Sequence, residues 1–155
     1  MQNISSEIIH AIRNAANQAA REIIKEMGIE HTLDKLNSFP AEIRRQQDAL
    51  VNARRNLEDA RSNLELAKQV VVAGVIEEKN GDGKPKYSNE KAREAEITKR
   101  LATDPGYQAA LQAYRAAEDA VNTAQFELDR LYNEFSACKA ASRVLAGKLN
   151  LLANL

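Results

Sequence analysis

No tryptophan occurs in this 155-residue chain, and it carries one cysteine, three prolines, six glycines, three phenylalanines and four tyrosines. A single cysteine, Cys138, excludes an internal disulfide. Scarce glycine and proline leave room for long uninterrupted helices. Lysine plus arginine and aspartate plus glutamate are 22 each, so the formal net charge is zero. That balance lacks the basic excess expected of a free-standing nucleic-acid binder. No apolar run is long enough to cross a bilayer. Arg13, Asn14, Asn17, Gln18 and Arg21 also interrupt the first apolar segment, which removes a signal-peptide core. The expectation is a soluble cytoplasmic protein without membrane contact.

What the chain does have is periodicity. Tyr107, Tyr114, Val121, Leu128, Phe135, Ser142 and Leu149 recur at intervals of seven. Ala110, Ala117, Ala124, Leu131, Cys138, Leu145 and Leu152 follow three residues after each. This is the seam of a coiled-coil helix over 105–152, roughly 70 Å long, and it needs a partner. Asp104 is placed to cap it, with Pro105 in the first helical position. Cys138 falls on the seam and reads as a small buried filler.

A second seam runs over 40–78. Ile43, Leu50, Leu57, Leu64 and Val71 are spaced by seven, and Gln46, Ala53, Ala60, Ala67 and Gly74 follow each by three. Asn37, Ser38 and Pro40 look like a start signal for this helix. Val70–Ile76 is rich in β-branched residues, yet the seven-residue spacing passes through it and keeps it helical. Between the seams, 79–104 is a connection. It holds the turn Asn80-Gly81-Asp82-Gly83-Lys84-Pro85 and a short helix from Glu90, capped by Ser88 or Asn89.

An N-terminal helix over 5–27 carries Ile8, Ile12, Ala15, Ala19, Ile23 and Met27 on one face, with Ser5 or Ser6 as cap and Gly28 as stop. So broad an apolar stripe is expected to dock, and the hairpin is one surface for it. The fold class is therefore all-α, in a single domain over 1–155. Two long helices form an antiparallel coiled-coil hairpin, an amphipathic helix precedes them, and the whole assembles into a homo-oligomer, a dimer or tetramer. The alanine layers suggest a register in which Ala53, Ala60 and Ala67 face Ala124, Ala117 and Ala110, with the fold-back near residues 88 and 89. Registers shifted by one heptad fit similarly. The seam residues expected to matter most are Leu50, Leu57, Leu64, Ala60, Val121, Leu128, Leu131 and Phe135. Leu145, Leu149, Leu151, Leu152 and Leu155 need cover as well.

Chemistry-bearing patterns are few. Glu78, Asn80, Asp82 and Gly83 imitate the first half of an EF-hand loop, but Lys84 and Lys86 lie inside it and Asn89 stands where a bidentate Glu belongs. His10 and His31 have no metal-ligand spacing around them. No nucleophile motif, phosphate loop or dinucleotide fingerprint occurs. Glu77–Glu78 and Glu118–Asp119 read as solvated helix surface. The expectations are no enzyme, no metal and no cofactor.

The basic residues carry more information. Arg44, Arg45, Arg54 and Arg55 form two doublets, and Arg54, Arg61 and Lys68 lie seven apart beside the seam. Such a row suits phosphate or a protein partner. Flanking charges of coiled coils more commonly pair across helices, and Glu118, Asp119, Glu127 and Asp129 are available for that. Tyr87, Tyr107, Tyr114 and Tyr132 suit base stacking or, for Tyr107 and Tyr114, the seam itself.

The segment Gly83-Lys84-Pro85-Lys86-Tyr87-Ser88-Asn89-Glu90, then Ala92-Arg93 and Asp104-Pro105-Gly106-Tyr107, resembles small coiled-coil proteins encoded by phages and prophages. The likeness covers about the C-terminal half. Such proteins often accompany recombination or single-strand-binding functions. The resemblance implies a phage origin, an accessory role in the host cytoplasm and no catalytic residues. Three functions stay open: a non-enzymatic interaction or scaffold protein, an accessory nucleic-acid binder of phage recombination, and a binder of a phosphate-bearing small ligand at a subunit interface.

Overall fold

The computed structural model describes residues 3–153, and the side chains of 6–152. Leu155 lies outside the described residues. Four helices follow one another: α1 (Asn3–Glu26), α2 (Ile29–Glu77), α3 (Glu90–Thr103) and α4 (Pro105–Ala153). The fold class is all-α, and the two long helices α2 and α4 pack against each other. Among the described residues β-pairing is limited to one isolated bridge between Lys79 and Pro85. No helix among them is long and apolar enough to cross a membrane.

Helix boundaries follow local chemistry. Gly28 takes φ +64°, a left-handed conformation that suits glycine, and its N–H bonds the Lys25 carbonyl at 3.1 Å. That is the stop expected for α1. The helix already includes Asn3, so Ser5 and Ser6 are inside it and not at the cap position.

The start expected at Pro40 is corrected: α2 begins at Ile29 and carries Pro40 in its interior. Ser38 does not cap anything, because its hydroxyl donates back to the Lys35 carbonyl at 3.0 Å. Proline removes one N–H from the helix ladder and disfavours helical geometry in the residue before it. Here that residue is Phe39, which is buried and packs on Phe135 with ring centroids 5.5 Å apart. Burial of the ring offsets the local preference, as tertiary packing commonly overrides propensity.

The chain divides into two compact units. One comprises the chain up to Arg45 together with the residues from Asp129 onward, and the other comprises Gln46–Leu128. In the first, Phe39 and Leu131 are buried, and Ile43, Phe135 and Cys138 are half-buried. The Cys138 thiol donates to the Thr32 carbonyl at 3.6 Å, as befits a small seam residue. Along α1 every side chain from 6 to 23 is exposed and Ile24 is half-buried, as is Met27 just beyond the helix end. The helix expected to lie across the hairpin therefore keeps most of its apolar face uncovered. Leu145 and Leu149 are half-buried, while Leu151 and Leu152 are exposed.

In the second unit Leu50, Val71, Val75, Ala124 and Leu128 form the core, with Leu57, Ala60, Leu64 and Val121 half-buried beside them. Val71 and Val75 sit one helical turn apart, and Val75 is only 1% exposed. The β-branched run is helical because the seam uses it at that spacing.

Two side chains fix the register of this unit. Gln46 donates its amide to the Ala124 carbonyl at 3.1 Å, and Arg54 reaches the Gln125 side chain at 3.3 Å. Positions 46 and 54 are centred on 50, which sets Ala124 opposite Leu50 and not opposite Ala53. The expected alanine-on-alanine register is thus displaced by one step of the seam. Large residues then meet small ones, which fills the gap between the helices more evenly than large on large beside small on small.

Candidate functional site

The perturbed ionisable groups of the second unit gather where α2 ends and α3 begins. The turn between them is built by Asn80, whose side-chain oxygen accepts from the N–H groups of Asp82 (3.2 Å) and Lys84 (3.0 Å). Gly83 at φ +74° supplies the left-handed residue the reversal requires, and its N–H bonds the Asn80 carbonyl at 3.0 Å. Asn89 then caps α3 by accepting from the Ala92 N–H at 2.7 Å, so Asn89, and not Ser88, is the cap. Asp104 does the same for α4 through the Tyr107 N–H at 2.7 Å.

This local folding sets Glu78 between two cations. Its carboxylate accepts from Lys86 on one oxygen and from Arg100 on the other. Arg100 also donates Nε to Glu96 at 2.8 Å and Nη2 to the Tyr87 hydroxyl at 3.4 Å. The hydrogen bond from Lys86, and then that from Arg100, holds the Glu78 carboxyl below its ordinary range. Arg100 lowers Glu96 in the same way, and Glu78 raises Lys86.

The arrangement is a charge-satisfied clamp across the turn. In place of a metal, two cations balance the Glu78 carboxylate, and two N–H groups take both acceptor sites of the Asn80 side-chain oxygen. Among the described residues no group of three or more His, Cys, Asp or Glu could hold a metal ion.

The basic row is exposed throughout. Arg44 and Arg45 are exposed in the first unit, and Arg54, Arg55, Arg61 and Lys68 in the second. For Arg54 the cross-helix partner is the neutral Gln125 and not an acidic residue. Glu58, Arg61 and Glu65 line one shallow hollow on α2. The order Arg54, Glu58, Arg61, Glu65, Lys68 therefore alternates in sign along a single helix face, at spacings of four and three. Reading the basic residues alone hides the glutamates between them. The alternation was available in the sequence.

Other hollows are open and mixed in character. One of about 410 Å³ is lined by Val70, Gly74, Arg100, Asp104 and Pro105. Another of about 350 Å³ is lined by His31, Lys35, Phe39, Glu134 and Cys138. More distinctive are the uncovered apolar faces. Ile8, Ile9 and Ile12 stand exposed on α1, as do Leu66, Val70 and Ile76 on α2, Val70 to 73%. Of the tyrosines, Tyr107 and Tyr114 lie half-buried along the seam, and Tyr87 belongs to the clamp. Compared with known proteins, the chain matches no family model, no curated protein and no solved structure.

Proposed function

We propose that the chain is a non-enzymatic coiled-coil interaction or scaffold protein of phage type, acting in the host cytoplasm as a homo-oligomer that presents helix faces to another protein. The observation that carries this reading is the exposed isoleucine stripe of α1, where Ile12 is 64% exposed. Contiguous apolar surface of that kind marks association sites. The ionisable groups with shifted pKa support the same reading, because each is satisfied by a neighbour in the turn clamp. Catalytic acids and bases are instead poised toward a desolvated pocket.

Sedimentation equilibrium of the full chain tests the proposal. Association at micromolar concentration is the expected result. A monomer throughout the range up to about 100 μM would overturn the oligomeric scaffold, since specific homo-oligomers are normally tighter than that.

A second reading, an accessory nucleic-acid binder, is favoured by the exposure of Arg54, Arg55, Arg61 and Lys68. The glutamates interleaved with them reduce the field such a row presents to phosphate. Gel shifts at low salt separate the two readings. Phosphate-driven binding weakens steeply as salt rises, and its absence at low salt removes direct nucleic-acid contact.

A further inference from the structure

We infer that α1 is the element through which two copies of this chain associate, packing antiparallel about a two-fold axis between Ala16 and Ala19. This rests on the oligomeric reading above and names its contact surface.

All side chains from 6 to 23 are exposed, so from Ile8 to Ile23 the apolar stripe of α1 has no cover among the described residues. The stripe then shows what shape would cover it. Within this broad face, which Ala15 and Ile9 also share, Ile8, Ile12, Ala16, Ala19 and Ile23, with Met27 just past the helix end, follow one another at spacings of four, four, three, four and four. The order of sizes, large-large-small-small-large-large, reads the same from either end. Turned end for end, a second copy sets its Ala19 on Ala16, its Ile23 on Ile12 and its Met27 on Ile8. An isologous two-fold contact has this requirement, that one patch complement itself. Two helices that cross come closest at the crossing point and diverge from it. Alanines at the centre permit close approach, and isoleucines on either side fill the widening gap.

Charge argues for protein over lipid. Arg13, Arg21 and Lys25 are balanced by Glu7, Glu22 and Glu26, and the helix has no aromatic residue. An interfacial membrane helix instead carries a basic polar face and bulky Trp, Phe or Leu on the other. Ile24 and Met27 are already half-buried, which centres the new contact on Ile12, Ala16, Ala19 and the exposed Ile23. One helix pair makes a small interface, so a dissociation constant on the order of micromolar is expected.

The test compares the full-length wild type with Ala16→Glu/Ala19→Glu by sedimentation equilibrium. Circular dichroism confirms helix content, since Glu is a good helix former. The wild type should associate, and the variant should weaken that by about ten-fold or more, because four carboxylates then crowd the axis. Mixing it with Ala16→Lys/Ala19→Lys should restore a heterodimer. In a Cys138→Ser background, an equimolar mixture of Ala16→Cys and Ala19→Cys proteins should oxidise mainly to the mixed disulfide. Wild-type association that is indifferent to the glutamates, or that restores nothing on charge mixing, overturns the α1 assignment and leaves the oligomer standing. Predominant like-with-like disulfides overturn the antiparallel geometry. A monomeric wild type overturns both readings. Co-sedimentation of such a monomer with phosphatidylglycerol vesicles would assign the stripe to lipid instead.

Discussion

The side-chain amide of Gln46 donates a 3.1 Å hydrogen bond to the main-chain carbonyl of Ala124. A polar group on the seam of α2 is thereby tied to the backbone of α4, at a position that only one register satisfies. A polar residue in an apolar seam commonly specifies register at some cost in stability. Gln46→Leu is therefore expected to change stability by no more than about 1 kcal/mol, the net worth of one such bond. Its larger effect should be on uniqueness. Cross-linking between cysteines placed at 50 and 124 should give one product in the parent and additional, heptad-shifted products in Gln46→Leu. A single product in both would show that the apolar layers alone set the register.

Leu50 and Leu66 lie on the same helix with opposite surroundings. Leu50 is 6% exposed and Leu66 is 59% exposed. Leu50→Ala should cost about 2–5 kcal/mol, through lost burial and the cavity left against Ala124. Leu66→Ala should stay within about 0.5 kcal/mol in the isolated chain. Ala124→Leu overfills the small position opposite Leu50 and should cost about 1–3 kcal/mol. Urea denaturation of the three variants measures this order. An Ala124→Leu protein as stable as the parent would argue against large-on-small packing at that layer.

Pro40 sits inside α2 and deprives the Leu36 carbonyl of its partner N–H. Pro40→Ala restores that donor and a good helix former. It should raise stability, by up to about 3 kcal/mol where the backbone is unstrained. Thermal unfolding followed by circular dichroism reads the shift. Phe39→Ala should act in the other direction by about 3–5 kcal/mol, since its ring lies against Phe135. A Pro40→Ala chain less stable than the parent would mean that the local geometry needs proline's fixed φ.

The contrast between these residues also shows what was legible in the chain beforehand. The heptads predict the exposure pattern of α4 closely: Tyr107, Ala110, Tyr114, Ala117, Val121, Ala124, Leu128 and Leu131 are all at least half-buried. Periodicity reports such a face directly, because burial selects it residue by residue. The caps at Asn89 and Asp104 and the stop at Gly28 were legible for the same local reason. Pro40 was not, because the ring contact that carries the helix through it joins Phe39 to a residue far along the chain. Register was only partly legible. Hydrophobic spacing repeats every heptad and cannot by itself choose among shifts, whereas the Gln46–Ala124 bond can. The Glu78 clamp drew attention as a failed calcium loop, and its true partner Arg100 lies 22 residues away.

That clamp has a defined pH window. Lys86, then Arg100, holds the Glu78 carboxyl below its ordinary value of 4.5, and Arg100 does so for Glu96. A carboxylate lowered in the folded state contributes stability that is full above 4.5 and is lost as pH falls through the lower folded value. Lys86 is raised above its ordinary 10.5, so its contribution is full below 10.5 and is lost as pH climbs through the higher folded value. Between those limits the turn is held. Carboxyl NMR should find the Glu78 midpoint depressed in the parent and returned toward 4.5 in a Lys86→Met/Arg100→Met variant. Protection of the Lys86 amide, whose N–H bonds the Glu78 carbonyl at 2.9 Å, should fall under acid in the parent when its exchange is taken relative to that of an unprotected amide at the same pH. An identical Glu78 midpoint with and without the two cations would mean that their contacts in the turn do not persist in solution.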